Sequence, residues 1–174
     1  TDGRIEGLID GRVELLLWLP PGRRPHPLLL TQPRYYQRFW AEDALARGYA
    51  VCLYPGLDSH HPEADFPGYD TAWETFRAAW PQATWAEIPC KAWIASRALD
   101  YLLAPGSGTG IDPERVGILG FSRYGKQSLI AAALDPRFKA VLARSAGSPG
   151  STPYRFSSRP TFMEAPCDFP DAWF

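Results

Sequence analysis

Short apolar runs alternate with longer amphipathic ones along most of this chain, and the alternation predicts a fold class. Arg12 to Leu19 reads as a strand of mixed apolar character, closed by Pro20-Pro21-Gly22. His26 to Thr31 is an apolar run bounded by prolines, suited to a strand buried on both faces. From about Tyr36 to Ala46 the spacing predicts a helix, with Phe39, Trp40, Leu45 and Ala46 inward and Gly48 as the stop. Tyr49 to Tyr54 is another buried strand, ended by Pro55-Gly56. A loop from Leu57 to Asp70 follows, carrying His60, His61, Glu63, Asp65 and Asp70.

Thr84 with Glu87 three residues on is a capping-box pattern, opening a helix that runs to about Leu103 with Ala92, Ala95, Leu99 and Leu102 on its inner face. Pro89 requires either a kink or a later start at Pro89 itself. Ile111 to Glu114 reads as a turn into a strand at Arg115 to Leu119. A helix from about Tyr124 to Leu134 follows, then the Asp135-Pro136 break and a strand from Phe138 to Ala143. Strands and helices alternating at these lengths predict an α/β fold with a mainly parallel sheet and helices on both faces. Residues 1–174 read as a single domain without a linker.

Composition narrows the function classes. A chain of 174 residues with formal net charge −1 carries no electrostatic footprint for nucleic acid or an anionic membrane surface. Its 45% hydrophobic content is enough for a core, yet its longest apolar runs are far too short to span a bilayer. Cys52, Cys90 and Cys167 stand at wide spacings without a metal-ligand pattern, so they read as buried free thiols, and neither a metal nor an organic cofactor is expected.

The chemistry concentrates at Val116 to Lys126, where an apolar strand runs into Gly120-Phe121-Ser122 and then directly into a helix. A serine in such a turn projects its hydroxyl, and the helix N-terminus supplies N–H groups for a developing oxyanion. The alternative is a serine that merely caps the helix. The glycine after the serine stands three positions on, at Gly125, with Tyr124 at the second. The geometric expectation is a positive φ at Ser122, at the carboxyl end of the sheet.

Gly120-Phe121-Ser122-Arg123-Tyr124-Gly125-Lys126 resembles the Gly-x-Ser-Arg-x-Gly-Lys signature of the glucuronoyl esterases, carbohydrate esterase family 15, and their bacterial relatives in the α/β-hydrolase superfamily. Trp85 to Tyr101, Asp135 to Phe138, Gly147 to Arg155 and Phe169 to Phe174 are similar to neighbouring segments of that family. The resemblance implies a serine esterase acting on a small-molecule or polysaccharide ester and, as is usual for such enzymes, export from the cell. It implies Ser122 as nucleophile, Arg123 as oxyanion donor through its N–H and guanidinium, and Lys126 as a contact to uronate hydroxyls. Arg144 stands where the family has a sugar-binding Gln, Ser151 near its Glu, and Phe121 where some members have Cys. Surface readings remain for both cations, a salt-bridge partner for Arg123 and a solvated helix residue for Lys126.

A serine nucleophile needs a base and an orienting carboxylate. The three histidines, His26, His60 and His61, all precede Ser122, so Glu164, Asp168 and Asp171 have no downstream histidine to orient. His26 reads as structural, and His60 and His61 as a solvated loop, a base or a metal pair with Asp58 or Asp65. The expectation is a domain truncated after the strand that follows the nucleophile helix, inactive as a 174-residue piece, its leader absent or removed before Thr1. Two other readings stand beside it: a non-catalytic binding domain on the same scaffold, and an acetylesterase or peptidase. Phe66, Tyr69, Trp73 and Trp80 read as sugar-stacking or as core residues.

Overall fold

The computed structural model describes residues 15–32, 37–54, 78, 80–147 and 150–151. Five strands form one sheet: β1 (Leu16–Trp18), β2 (His26–Thr31), β3 (Ala50–Leu53), β4 (Ile111–Phe121) and β5 (Ala140–Arg144), in the order β1-β3-β2-β4-β5. β3, β2, β4 and β5 are mutually parallel, with Leu29 opposite Val51 and Gly117, and Ile118 opposite Val141. This is the arrangement the alternating pattern predicts. β1 runs antiparallel to β3, pairing Leu17 with Cys52.

Among the described residues, three helices connect the parallel strands: α1 (Gln37–Ala46), α2 (Glu87–Leu102) and α3 (Arg123–Leu134). α2 and α3 pack on each other. Right-handed crossovers in opposite directions along the sheet put α1 on the other face. The core lies between β2, β3, β4 and α2, where Leu28, Leu30, Ile94, Leu99, Leu102, Val116 and Ile118 are buried together. Ala92, Ala95, Leu99 and Leu102 face it as their spacing predicts. α1 differs in detail, because Ala44 is buried and Ala46 exposed. It ends in a Schellman turn, Tyr49 N–H to Ala44 C=O and Gly48 N–H to Leu45 C=O, with Gly48 at φ +86°.

Two sequence expectations are corrected. α2 does not begin with a capping box: Ala86 is the N-cap, without a side-chain cap bond. A start after Thr84 would put Pro89 in the fifth helical position, its ring against the Trp85 carbonyl. Starting at Glu87 puts Pro89 third, where no intrahelical N–H bond is lost. The predicted turn at Ile111 to Glu114 belongs instead to β4. Between the pairs His26–Ile111 and Leu28–Val116 the register shifts, so Asp112-Pro113-Glu114 form a bulge. Asp112 Oδ1 accepts from the Glu114 N–H at 3.0 Å, and Oδ2 from Arg115 Nε at 2.6 Å.

Candidate active site

Ser122 follows the last residue of β4 and precedes the first of α3, at the carboxyl end of the parallel strands. Its φ is 58° and its ψ −125°, outside the small left-handed well open to L-residues. A residue held there carries roughly 1–3 kcal/mol of strain. It occupies the N-cap position, yet its hydroxyl makes no capping bond. The plain helix-cap reading therefore lacks its hydrogen bond, and Oγ is not spent on the helix.

The flanking glycines explain how the turn closes. A Cβ on Gly120 would lie 2.2 Å from Tyr124 O and 2.7 Å from Ser128 Oγ, so strand and helix touch there through backbone. A Cβ on Gly125 would meet Ala146 Cβ at 3.0 Å and Arg144 O at 3.3 Å. The glycine three places after the serine thus admits the chain leaving β5, while Tyr124, two places after, is itself buried. The Ser122 N–H extends the ladder to Arg144 O at 2.9 Å, and the Ser122 C=O accepts from Gly125 and Lys126 N–H.

α3 enters the interior at once, with Tyr124 to Ser128 buried without interruption. Lys126 is 2% exposed, with Nζ 4.0 Å from where a Cβ would sit on Gly147, so the solvated-helix reading does not hold. Arg123, the first helical residue, is half-buried. Arg144 is exposed and lays its guanidinium over the Phe121 ring at 5.7 Å.

His26 is buried at the opposite, amino-terminal edge of the sheet, opposite Ile111, which removes it as a base for Ser122. The run of β2 alone separates it from the carboxyl edge by about 16 Å at 3.3 Å per residue. His60, His61, Asp58, Asp65, Glu164, Asp168, Asp171 and Cys167 lie outside the described residues, as do Phe66, Tyr69 and Trp73. Trp80 is exposed. Cys52 and Cys90 are buried free thiols, as expected, and burial pushes the Cys52 thiol up to about 12.

Sequence reading missed a polar group beside the turn: Gln32, Tyr54 and Gln127 are fully buried and meet at the Tyr54 hydroxyl. Its only signal was Gln32 and Tyr54 at the ends of apolar runs, and Gln127 gave none. The segments around Ser96 to Tyr101 and Asp135 to Phe138 come together at the far end of α3. There Arg137 grips Asp135 through both carboxylate oxygens and reaches Asp100 at 2.7 Å and Ser96 O at 3.1 Å. Burial works against the Asp135 carboxylate, but bonds from Arg137 and Ser96 outweigh it and hold its pKa below the ordinary value. A groove of about 480 Å³ lined by Trp85, Trp93, Arg97, Ala131, Leu134 and Arg137 opens at that end. Ala131 and Leu134 stand roughly 14–18 Å along the helix from Ser122, so the groove is remote from the turn.

The family model described as "Glucuronyl esterase, fungi" matches residues 71–165. A 4-O-methyl-glucuronoyl methylesterase of Podospora anserina is 42% identical over 67 residues, 38% of this chain and 14% of its own length. A carbohydrate esterase from an unknown prokaryotic organism is 33% identical over 142 residues, 79% of this chain and 31% of its own. Among solved structures, a carbohydrate esterase family 15 glucuronoyl esterase from Caldicellulosiruptor kristjansonii superposes with TM-score 0.66 at 27% identity, over 82% of this chain and 40% of that one. A glucuronoyl esterase from Solibacter usitatus gives 0.63 at 26%, over 83% and 46%. The chain thus spans less than half the length of these relatives. With the strained serine turn on a parallel sheet and the family match over more than half its residues, this chain belongs to the glucuronoyl esterase family, carbohydrate esterase family 15, of the α/β-hydrolase fold.

Proposed function

We propose that Ser122 is the nucleophile of a serine esterase that cleaves a carbohydrate-linked carboxylic ester, of the 4-O-methyl-glucuronoyl kind named for its relatives. The observation that carries this reading is the backbone of Ser122, strained at φ 58° between strand and helix with its hydroxyl unused as a cap. Such strain persists only where the surroundings enforce it, and here Gly120 and Gly125 let them do so.

In the reaction, Ser122 Oγ attacks the ester carbonyl and gives its proton to a base. The carbonyl oxygen becomes an oxyanion beside the N-terminus of α3, where the helix dipole and Arg123 offset its charge. Collapse expels the alcohol, which takes the proton from the base. Water then attacks the acyl-enzyme by the same route and releases the acid. In this superfamily the acid and the histidine follow the nucleophile in the chain, and this sequence has no histidine after Ser122. Lys126, held beneath the chain that leaves β5, serves uronate recognition in this reading.

The test is hydrolysis of a glucuronate methyl ester and of an acetyl ester by the complete gene product. Ser122→Ala should lower turnover on the order of 10⁴- to 10⁶-fold. Lys126→Ala should raise KM for the glucuronate ester about 10- to 100-fold, the worth of one charge-assisted hydrogen bond, and leave the acetyl ester nearly unchanged. Full activity in Ser122→Ala would refute the nucleophile. Equal losses on both esters would make Lys126 a support of the turn.

A further inference from the structure

Behind the nucleophile turn lies a buried polar bridge that the reaction above does not use. β2 and β3 lead into Gln32 and Tyr54, and α3 carries Gln127 five residues after Ser122; all three side chains are fully buried. Gln127 Nε2 donates to Tyr54 Oη at 2.9 Å, and the Gln32 amide meets the same oxygen. The register that pairs Leu30 with Ile118 continues to set Gln32 beside Gly120, two residues before the serine. Thr31 Oγ1 donates to Leu119 O at 3.0 Å, and the Tyr54 N–H to Thr31 O at 3.0 Å. The bridge therefore joins the carboxyl ends of β2 and β3 to the nucleophile helix.

Proton accounting gives the bridge a direction. A phenol has one hydrogen. When both amides donate to it, that hydrogen goes unused and Gln32 Oε1 is buried without a partner. Turning the Gln32 amide over lets the Tyr54 hydroxyl donate to Oε1, giving a one-way chain from Gln127 through Tyr54 to Gln32. In either orientation one polar group of Gln32 is unmatched among the described residues, at the exit of β2. Burial holds the Tyr54 phenol well above its ordinary pKa, so it keeps its hydrogen. Three buried polar side chains are a costly way to fill space that apolar ones would fill, which points to a need for fixed geometry.

We propose that Gln32, Tyr54 and Gln127 are positioning residues for ester hydrolysis, locking the start of α3 to the carboxyl ends of β2 and β3 so that the donors at that helix start stay aimed at the oxyanion. The inference rests on the esterase reading above. In this fold one donor is the backbone N–H of the residue after the nucleophile, here Arg123 at the first position of α3. Donors aimed at an oxyanion act only in the transition state, so loosening them lowers kcat and spares KM.

The experiment compares Tyr54→Phe, Gln127→Met and the double variant in the complete gene product, at temperatures where each is shown to be folded. On a glucuronate methyl ester each single variant should lose about tenfold in kcat with KM within about twofold, and the double variant should be no worse than the weaker single one, as for members of one network. The rate at which a fluorophosphonate labels Ser122 should fall in parallel. Should Tyr54→Phe fail to fold, Gln127→Met and Gln127→Asn carry the same comparison. Unchanged kcat in folded variants, additive losses, or losses confined to KM would overturn the bridge while leaving the esterase reading intact. A wild type that neither hydrolyses ester nor labels at Ser122 would overturn both.

Discussion

The two ends of α3 solve opposite problems. At its start the chain is strained and buried: Ser122 sits at positive φ, five consecutive residues are enclosed, and Gly120 lets the helix backbone touch the strand. At its end the chain is relaxed, Leu134 is 75% exposed, and Asp135 leaves in extended conformation to be clamped by Arg137. The Arg137 guanidinium reaches the Asp100 side chain and Ser96 carbonyl of α2, so this end ties two helices to the turn before β5. One helix thus holds a costly conformation at the sheet's carboxyl edge and is anchored by charge at the other. Both ends carry residues of the family-like segments, but only the strained end has the geometry of a reacting group.

Three changes test that contrast. The largest effect should come from Gly120→Ala. Its methyl group would lie 2.2 Å from Tyr124 O, a backbone atom that cannot swing aside. Urea unfolding should show a loss of about 3 kcal/mol, at the upper end for overpacking. A loss below ~1 kcal/mol would mean that strand and helix are not in contact there.

Arg137→Ala should cost about 1–3 kcal/mol, chiefly because Asp135 keeps a nearly buried carboxylate without its partner. Esterase turnover per folded molecule should be unchanged. The pH dependence follows from the lowered pKa of Asp135. Its stabilisation is complete above the unfolded value near 3.8 and is lost as pH falls through the lower folded value. The gap in stability between wild type and Arg137→Ala should therefore be widest near neutrality and close on acidification. A gap that stays the same on acidification would show that Arg137 acts through packing rather than charge.

The smallest effect is the most diagnostic of strain. Ser122→Gly should be about 1 kcal/mol more stable than Ser122→Ala, since glycine relieves roughly 1–3 kcal/mol of backbone strain against an entropic cost of about 0.5–1. Both variants should be inactive. Equal stability of the two would mean that the turn is not strained, and the contrast between the ends of α3 would lose its basis.

By itself the sequence determined the order of elements, the parallel core and the serine turn, because each is written in local periods and in glycine spacing. Apolar runs such as Leu28 to Leu30 and Ile118 to Leu119 can be satisfied only inside a covered sheet. Gly120 flags a close approach that no residue with a Cβ permits, and Gly125 one where a Cβ would crowd Ala146. Tertiary structure decided what depends on a partner distant in the chain. The start of α2 was a local matter by contrast, because the Pro89 ring would clash with a carbonyl four residues back and that outweighs a capping pattern. The Asp112-Pro113-Glu114 segment became a bulge because His26 and Leu28 hold β4 in register on either side of it. Lys126 was buried, and Gln32, Tyr54 and Gln127 met around one hydroxyl across 22 and 73 residues of sequence. Hydrogen bonds between side chains so far apart leave no period in a sequence, since their geometry exists only once the strands have closed around them.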